Sequence, residues 1–381
     1  MKKLLFDLIA TQPSPEARFH GGGQYAKMIF LKAIEQGFKD FDCVYNPNIE
    51  LGADIKIACK LYTINLIPVN HVEEVEKVIQ QGNYDAFYSS LPYQYLNIKI
   101  GKTIFIMDVL GLREIEMPKD KVERFYRKNL FSKLKLIIRN IFFEKNRFKK
   151  KEQKYRKLLE IRNKHILTIS YHSKYSLLNF FPFLDSNDIT VNYAPIDFSD
   201  FKKNSEEIKG DYFLLVSANR WIKNNHRAII ALDQLFSEGK LENKKVIVLG
   251  SSKVNSLKIK NSDKFIFKGY VGEEDLKIFY KNAYCFIYPS LNEGFGYPPI
   301  EAMKYKTPVL ASAISAIPEI CGNAVLYFNP FSIYEIRNRI LQINEDKLIY
   351  ANLQSKGIIR LEELQENQKL MITNLLKIIF Q

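Results

Sequence analysis

The stretch Tyr288-Pro289-Ser290-Leu291-Asn292-Glu293-Gly294-Phe295-Gly296-Tyr297-Pro298-Pro299-Ile300-Glu301-Ala302-Met303 sets two carboxylates, Glu293 and Glu301, eight positions apart around a glycine-rich turn. Residues 283–289, which lead into it, are a short apolar and aromatic run ending at a proline, the pattern of a buried strand. Gly294 and Gly296 can take backbone angles that a side chain forbids, and they let a ligand approach the main chain closely. Pro298 and Pro299 suit the first turn of a helix, where a missing N–H costs nothing. The order is therefore strand, glycine turn, helix.

The N–H groups at such a helix start, with the positive end of the helix dipole, make a ready site for phosphate. Glu293 on the turn can accept hydrogen bonds from sugar hydroxyls, and Glu301 in the first helical turn can accept a pair from a ribose. Each glutamate taken singly has a plainer reading: Glu301 as a complement to the helix dipole, Glu293 as a solvated loop residue. The coincidence of turn chemistry and carboxylate spacing over the whole string favours a ligand.

The string resembles the signature of the family-4 retaining glycosyltransferases (glycosyltransferase group 1), in which a Glu, seven residues and a second Glu bind the donor. Thr307-Pro308-Val309-Leu310-Ala311-Ser312, Ile317-Pro318-Glu319 and Gly322-Asn323-Ala324 resemble the same family, mannosyltransferases among them. The likeness runs over roughly residues 210–335 and more weakly over the first half. It implies an α/β chain of the GT-B fold, two Rossmann-like domains facing each other across a deep cleft. The expected divisions are an acceptor-side domain over 1–195, a nucleotide-sugar-binding domain over 196–360, and a helix over 361–381 crossing back. By the same resemblance Gly294, Phe295, Gly296, Tyr297 and Glu301 bind the donor, and Gly269-Tyr270-Val271 touches the base.

A length of 381 residues fits two domains, each able to bury a core. The four cysteines (Cys43, Cys59, Cys285, Cys321) lie far apart without a C-x-x-C pair, which reads as buried thiols in a reducing compartment. Residues 1–10 begin basic and apolar, but Asp7 interrupts the run, and they read as a first strand rather than a signal peptide. No apolar window is long enough to span a bilayer, so a cytoplasmic protein is expected.

The formal charge of +14 is concentrated: residues 119–164 hold eighteen Lys and Arg against five Asp and Glu, a net +13. Within them Leu130, Leu134, Ile137, Ile138 and Ile141 recur at helical spacing beside Phe131, Phe142 and Phe143, with Lys128, Lys135, Arg139 and Lys145 interspersed. This is a basic amphipathic helix. One reading docks it on an anionic membrane surface, peripheral on the inner face, each basic residue contributing about 1 kcal/mol. The other packs its apolar stripe on its own domain. No nucleic-acid-binding signature accompanies the charge, so nucleic acid is not an expected partner.

In the first half, residues 4–10, 86–89, 103–107 and 166–170 read as strands and 24–36 and 72–81 as helices, which argues for a parallel sheet with crossover helices. Phe19-His20-Gly21-Gly22-Gly23-Gln24-Tyr25 is a glycine loop entering a helix; by resemblance Gly22 and Gly23 face the donor phosphates. His172, after the fourth of these strands, reads as a capping or packing residue. The boundary between halves is expected near Val191-Asn192-Tyr193-Ala194-Pro195-Ile196-Asp197, extended by the polar residues to Gly210. The second half opens with strands over 212–217, 246–250 and 264–269, and the chain closes with a helix over roughly 371–380.

Arg220 and Lys223 follow the strand 212–217, at the edge where open α/β sheets bind ligands. Arg can fork onto two phosphate oxygens and Lys adds a point charge, so together they could neutralise a departing diphosphate in place of a divalent metal. No His or Asp cluster shows metal spacing, and neither metal nor cofactor is expected. In Phe105-Ile106-Met107-Asp108-Val109-Leu110-Gly111-Leu112-Arg113-Glu114-Ile115-Glu116 the His that many relatives carry falls on Met107 or Leu110, leaving Asp108 as the group that could hold the sugar or the acceptor proton. An Asp at a strand end is also a common structural cap.

The expectation is a metal-independent, retaining glycosyltransferase that moves a hexose or deoxyhexose from a nucleotide-diphosphate sugar, GDP-mannose or UDP-hexose, to a glycan or lipid-linked glycan acceptor. The catalytic set is Arg220, Lys223, Glu293 and Asp108. The alternatives are a catalytically silent sugar-nucleotide-binding or membrane scaffold protein, and a sugar-nucleotide epimerase.

Overall fold

The computed structural model describes residues 2–13, 21–117, 119–127, 129–198, 210–251 and 258–381. Phe19 and His20 of the glycine loop, Lys128 of the basic segment and the polar residues 199–209 lie outside the described residues. The chain runs β1 (Leu4–Asp7), α1 (Gly21–Glu35), β2 (Asp42–Tyr45), α2 (Ala53–Leu61), β3 (Asn65–Pro68), α3 (Val72–Gly82), β4 (Ala86–Ser89), β5 (Ile104–Asp108), α4 (Arg113–Glu116), α5 (Leu130–Phe142), α6 (Glu144–Leu159), β6 (Lys164–Thr168), α7 (Tyr171–Phe180) and β7 (Ile189–Val191). It continues β8 (Tyr212–Leu215), α8 (Asn225–Ser237), β9 (Lys245–Leu249), β10 (Phe265–Lys268), α9 (Glu273–Asn282), β11 (Cys285–Tyr288), α10 (Tyr297–Lys304), β12 (Val309–Ser312), α11 (Ile317–Cys321), β13 (Leu326–Phe328), α12 (Ile333–Glu345) and α13 (Lys347–Phe380).

The elements form two compact units. One holds Met1–Ile115, Arg147–Pro195 and Asn367–Gln381; the other holds Glu116–Asn146 and Ile196–Glu366. The basic segment is thus divided, α5 folding with the second unit although it lies in the first half of the sequence. The break between halves falls at Pro195 and Ile196, and α13 serves both units.

The first unit's sheet has strand order β3-β2-β1-β4-β5-β6-β7 and the second unit's β10-β9-β8-β11-β12-β13. Every pairing is parallel, as in β8 with β11, where Phe213 faces Cys285 and Leu214 faces Phe286. The central strands β1, β4, β11 and β12 are buried at every position, as strands covered by helices on both faces must be. Their apolar residues make the cores: Phe87 stacks on Phe105 at 5.1 Å in the first unit, and Phe213 meets Tyr284 edge-on at 5.5 Å in the second.

Both sheets reverse their order once, between β1 and β4 and between β8 and β11. Such switch points are where doubly wound sheets open a crevice at the carboxyl ends of their strands. All four cysteines are buried free thiols.

Three local expectations are corrected. Helix α1 starts at Gly21, so Gly22 and Gly23 form its first turn rather than a preceding loop. The last helix extends over 34 residues from Lys347, earlier than either the 361 or the 371 expected for its start. The cap of α7 is Ser170, whose hydroxyl accepts the Ser173 N–H at 3.1 Å, so of the two roles expected for His172, capping or packing, capping is the one overturned.

Candidate functional site

The loops after β8 and β11 flank the second switch point, and they bring Lys223 and Glu293 together. Residues 221–223 form a 3₁₀ turn, and Asn224 then takes φ +54°, a left-handed angle that asparagine tolerates better than most residues. That bend starts α8 and turns Lys223 inward. Its Nζ lies 2.6 Å from Glu293 Oε1, with both side chains 9% exposed. The Tyr288 hydroxyl lies 3.2 Å from the same ammonium, and Ser290 Oγ donates to the same carboxylate oxygen. The Glu293 N–H donates to Ser315 Oγ at 2.9 Å.

Two crosslinks hold the loops in register. Leu291 N–H donates to Ile222 O at 2.9 Å. The buried Asn224 amide donates to Pro289 O at 3.0 Å and to Pro330 O at 2.7 Å. Neither Ser290, Ser315, Tyr288 nor Asn224 stands out in the sequence, because their roles depend on partners far along the chain. The left-handed bend left one signal, an Asn-Asn pair immediately after Lys223.

The glycine turn is built as its sequence requires. Gly296 has φ +112°, open only to glycine without strain, and it precedes α10, with Pro298 in the helix's first turn. Gly294 lies outside the left-handed region, which among the described residues of this turn only Gly296 occupies. Phe295 is buried and packs its ring 5.2 Å from that of Tyr297. Glu301 pairs with the buried Lys304 at 2.9 Å and remains partly exposed. Burial raises its carboxyl above the ordinary value, against the pull of Lys304.

Arg220 projects from the same turn as Lys223 and is exposed. Tyr270 and Val271 follow β10, which is separated from β8 by β9; Tyr270 is 87% exposed.

The remaining candidates belong to the first unit. Asp108, at the end of β5, is fully buried and accepts the Tyr25 hydroxyl at 3.1 Å and the Tyr88 hydroxyl at 2.6 Å. Burial pushes its carboxyl up to about 7, although both hydroxyls favour the charged form. Asp7, at the end of β1, accepts Ser89 Oγ at 2.6 Å and is raised by burial to about 6. A Cβ at Gly22 would meet Leu91 Cδ2 at 2.6 Å, so a side chain there would require the Leu91 side chain to shift.

Beside Lys223, Arg227 forks both guanidinium nitrogens onto Asp120, Nη1 to Oδ2 at 2.8 Å and Nη2 to Oδ1 at 3.0 Å. Its Nη1 also donates to Asn224 Oδ1 at 2.8 Å. Phe125 stacks on His226 with centroids 4.4 Å apart and planes 10° apart. Asn292, next to Glu293, donates its amide to Glu116 Oε2 at 2.8 Å. Among the described residues no group of three His, Cys, Asp or Glu side chains is gathered as a metal site.

Two doubly wound parallel sheets, the second with a Lys–Glu pair at its switch point and a glycine turn opening α10, define a GT-B protein. Residues 197–360 match the family model described as Glycosyl transferases group 1. It is 38% identical over 177 residues to the O-antigen chain mannosyltransferase RfbU of Salmonella typhimurium, covering 44% of this chain and 48% of that protein. The chain thus spans about half the length of that relative. Among solved structures, sucrose-phosphate synthase from Thermosynechococcus elongatus superposes with a TM-score of 0.69 at 14% identity, over 100% of this chain and 99% of that one. Anabaena HepE in complex with UDP-glucose gives 0.64 at 15% identity over 98% and 99%. At these identities the two structures speak for the fold alone, and the fold they share is the one expected from the sequence.

Proposed function

We propose that the protein is a retaining, metal-independent glycosyltransferase that moves a hexose or deoxyhexose from GDP-mannose or a UDP-hexose to a lipid-linked glycan. The observation that carries this reading is the buried contact between Lys223 and Glu293 at the second switch point, inside the residues that match the group 1 family model. The Salmonella mannosyltransferase supports mannose as the sugar, and the UDP-glucose bound by HepE supports a nucleotide-diphosphate donor.

The chemistry follows from the groups present. Negative charge grows on the diphosphate as the glycosidic bond to the donor breaks, and donors fixed beforehand stabilise it most. Lys223 is such a group, held by Glu293 and Tyr288 before any phosphate arrives. Arg220, on the same turn and exposed, can fork onto two phosphate oxygens. Glu293, fixed through its main chain and side chain, can accept hydroxyls of the sugar. Gly296 and the start of α10 add main-chain donors to the phosphate side.

Helix α5 supports an anionic membrane surface as partner, at the inner face. Its packed side centres on the buried Leu136 among polar neighbours: Arg139 pairs with Glu123 at 3.0 Å, and Lys119 Nζ donates to Asn140 O at 2.9 Å. Its apolar side is open, with Leu130 83%, Phe131 76%, Ile141 66% and Phe142 72% exposed. An apolar helix face flanked by Lys133 and Lys135 matches an interface of acyl chains and anionic headgroups. No helix among the described residues is long and apolar enough to cross a membrane.

The test is a thermal-shift panel of UDP, GDP, ADP, dTDP and CMP, followed by turnover of the donor whose nucleotide binds, with and without EDTA. One selective nucleoside diphosphate, released in an EDTA-insensitive reaction with the α-anomer formed from an α-donor, is the expected result. A chain that binds none of the panel overturns the reading.

A further inference from the structure

Residues 116–127 precede α5 and, where described, fold within the second unit against three points that adjoin the Lys223–Glu293 pair. Glu116 holds the side chain of Asn292, the residue before Glu293. Asp120 takes both arms of Arg227, which in turn holds Asn224, the residue after Lys223. Phe125 covers the ring of His226, two positions past Asn224. Asp120 is 7% exposed and also caps its own 3₁₀ turn by accepting the Val122 N–H at 2.8 Å.

We infer that this segment is a positioning strap for the donor pair. Asn224 sits at a left-handed bend and crosslinks the loops that carry Lys223 and Glu293, through Pro289 O, and the loop at Pro330. Its amide can make both donations only while its Oδ1 faces the other way, toward Arg227. Arg227 is oriented by the fork onto Asp120, a geometry that a carboxylate and a guanidinium specify and a single point charge does not. The chain of restraint therefore runs Asp120, Arg227, Asn224, Lys223 on one side and Glu116, Asn292, Glu293 on the other. Both ends of the strap converge on the two side chains whose 2.6 Å contact defines the site. Asp120, Arg227 and Glu116 are positioning residues, acting through the groups that would meet the donor. This inference rests on the donor reading of Lys223 and Glu293.

The experiment uses the full chain and the nucleoside diphosphate that binds the wild type, by titration calorimetry and steady-state turnover. Asp120→Asn keeps shape and removes the charge, Asp120→Glu keeps a carboxylate, and Phe125→Leu loosens the strap without touching the ion pair. Asp120→Asn is expected to weaken nucleotide binding about tenfold, the effect of uncoupling neighbours in one hydrogen-bond network. Phe125→Leu should weaken it less, and Asp120→Glu should recover part of the loss. Melting temperature is read in parallel, at a working temperature where all variants are folded. Variants that melt earlier but bind the diphosphate and turn over as the wild type does would show a merely structural strap and overturn the inference. A wild type that binds no nucleoside diphosphate fails the functional reading instead, so the two failures are separable.

Discussion

Lys223 Nζ and Glu293 Oε1 lie 2.6 Å apart with each side chain only 9% exposed, joining loops separated by 70 residues. A buried pair of this kind gains from mutual attraction what it loses in hydration, so removing one partner costs more than removing both. Lys223→Ala is expected to lower turnover by on the order of 100-fold and to destabilise the fold by about 3–5 kcal/mol. The double variant Lys223→Met, Glu293→Leu should regain most of the stability while remaining inactive. Urea unfolding beside a turnover assay separates the two effects, and a Lys223→Ala enzyme of near-normal turnover removes Lys223 from the mechanism.

Asn224 allows its backbone and its side chain to be tested apart. Asn224→Gly keeps the left-handed bend and loses the bonds to Pro289 O and Pro330 O, at a cost of about 2–4 kcal/mol for two buried carbonyls left unpaired. Asn224→Ala loses the same bonds and adds about 1 kcal/mol of backbone strain. Equal stabilities of the two variants in denaturant titration would show that the bend is not strained in the folded chain.

Stability should respond to pH in opposite senses through Asp108 and His226. Burial lifts Asp108 from its ordinary 3.8 to about 7, so between these values the folded chain holds a proton that the unfolded chain has released. Stability from this group is fullest below pH 4 and is lost as pH rises to 7. Burial, then Arg227, lower His226 from 6.5 to about 4, so in that window the unfolded chain binds the extra proton and stability falls as the solution is acidified. Asp108→Asn should flatten the loss between pH 4 and 7 in a series of thermal melts and raise stability at pH 8. A profile unchanged by the substitution would place the Asp108 carboxyl near its ordinary value.

The inverted packing of α5 makes a contrast between neighbouring positions. Leu136→Ala, at the buried face, is expected to cost about 2–4 kcal/mol. A triple change of Leu134, Ile138 and Ile141 to Gln should leave the melting temperature nearly unmoved, because these side chains are 54%, 43% and 66% exposed in the folded chain. The same triple variant should no longer float with phosphatidylglycerol vesicles. Flotation of the wild type that is indifferent to lipid charge would sink the membrane reading.

Much of the architecture was legible because its signals are local. The run ending at Tyr288, the left-handed Gly296 and the prolines of α10 each state their conformation within a few residues. The apolar period of α5 likewise announces a helix, but period alone cannot say which face is covered, and here it is the narrow one around Leu136 rather than the broad apolar stripe. Residues 347–360 of α13 lie outside the helix that the sequence suggests, although 348–351 and 358–361 are rich in apolar residues, because Gly357 sits between them, where glycine usually weakens a helix. The structure gives Gly357 a packing reason: a Cβ would lie 3.3 Å from Met303 Cγ on α10. At the site, resemblance and strand position brought out Lys223 and Glu293 separately. Their contact, and the role of Asp120 opposite Arg227, depend on chain segments that no spacing rule connects.

The passage of residues 116–146 into the second unit has a consequence for how the protein is made. Asp120 and Arg227 are separated by 107 residues, so during synthesis the strap and α5 leave the ribosome about 5–20 s before their docking partner exists. Throughout that interval Leu136, buried in the folded chain, is uncovered together with the apolar side chains of α5 that stay exposed. A lipid surface or a chaperone met in that window engages the helix before the second sheet is complete, and a fragment beginning at residue 196 would fold with Arg227 facing no carboxylate from the strap.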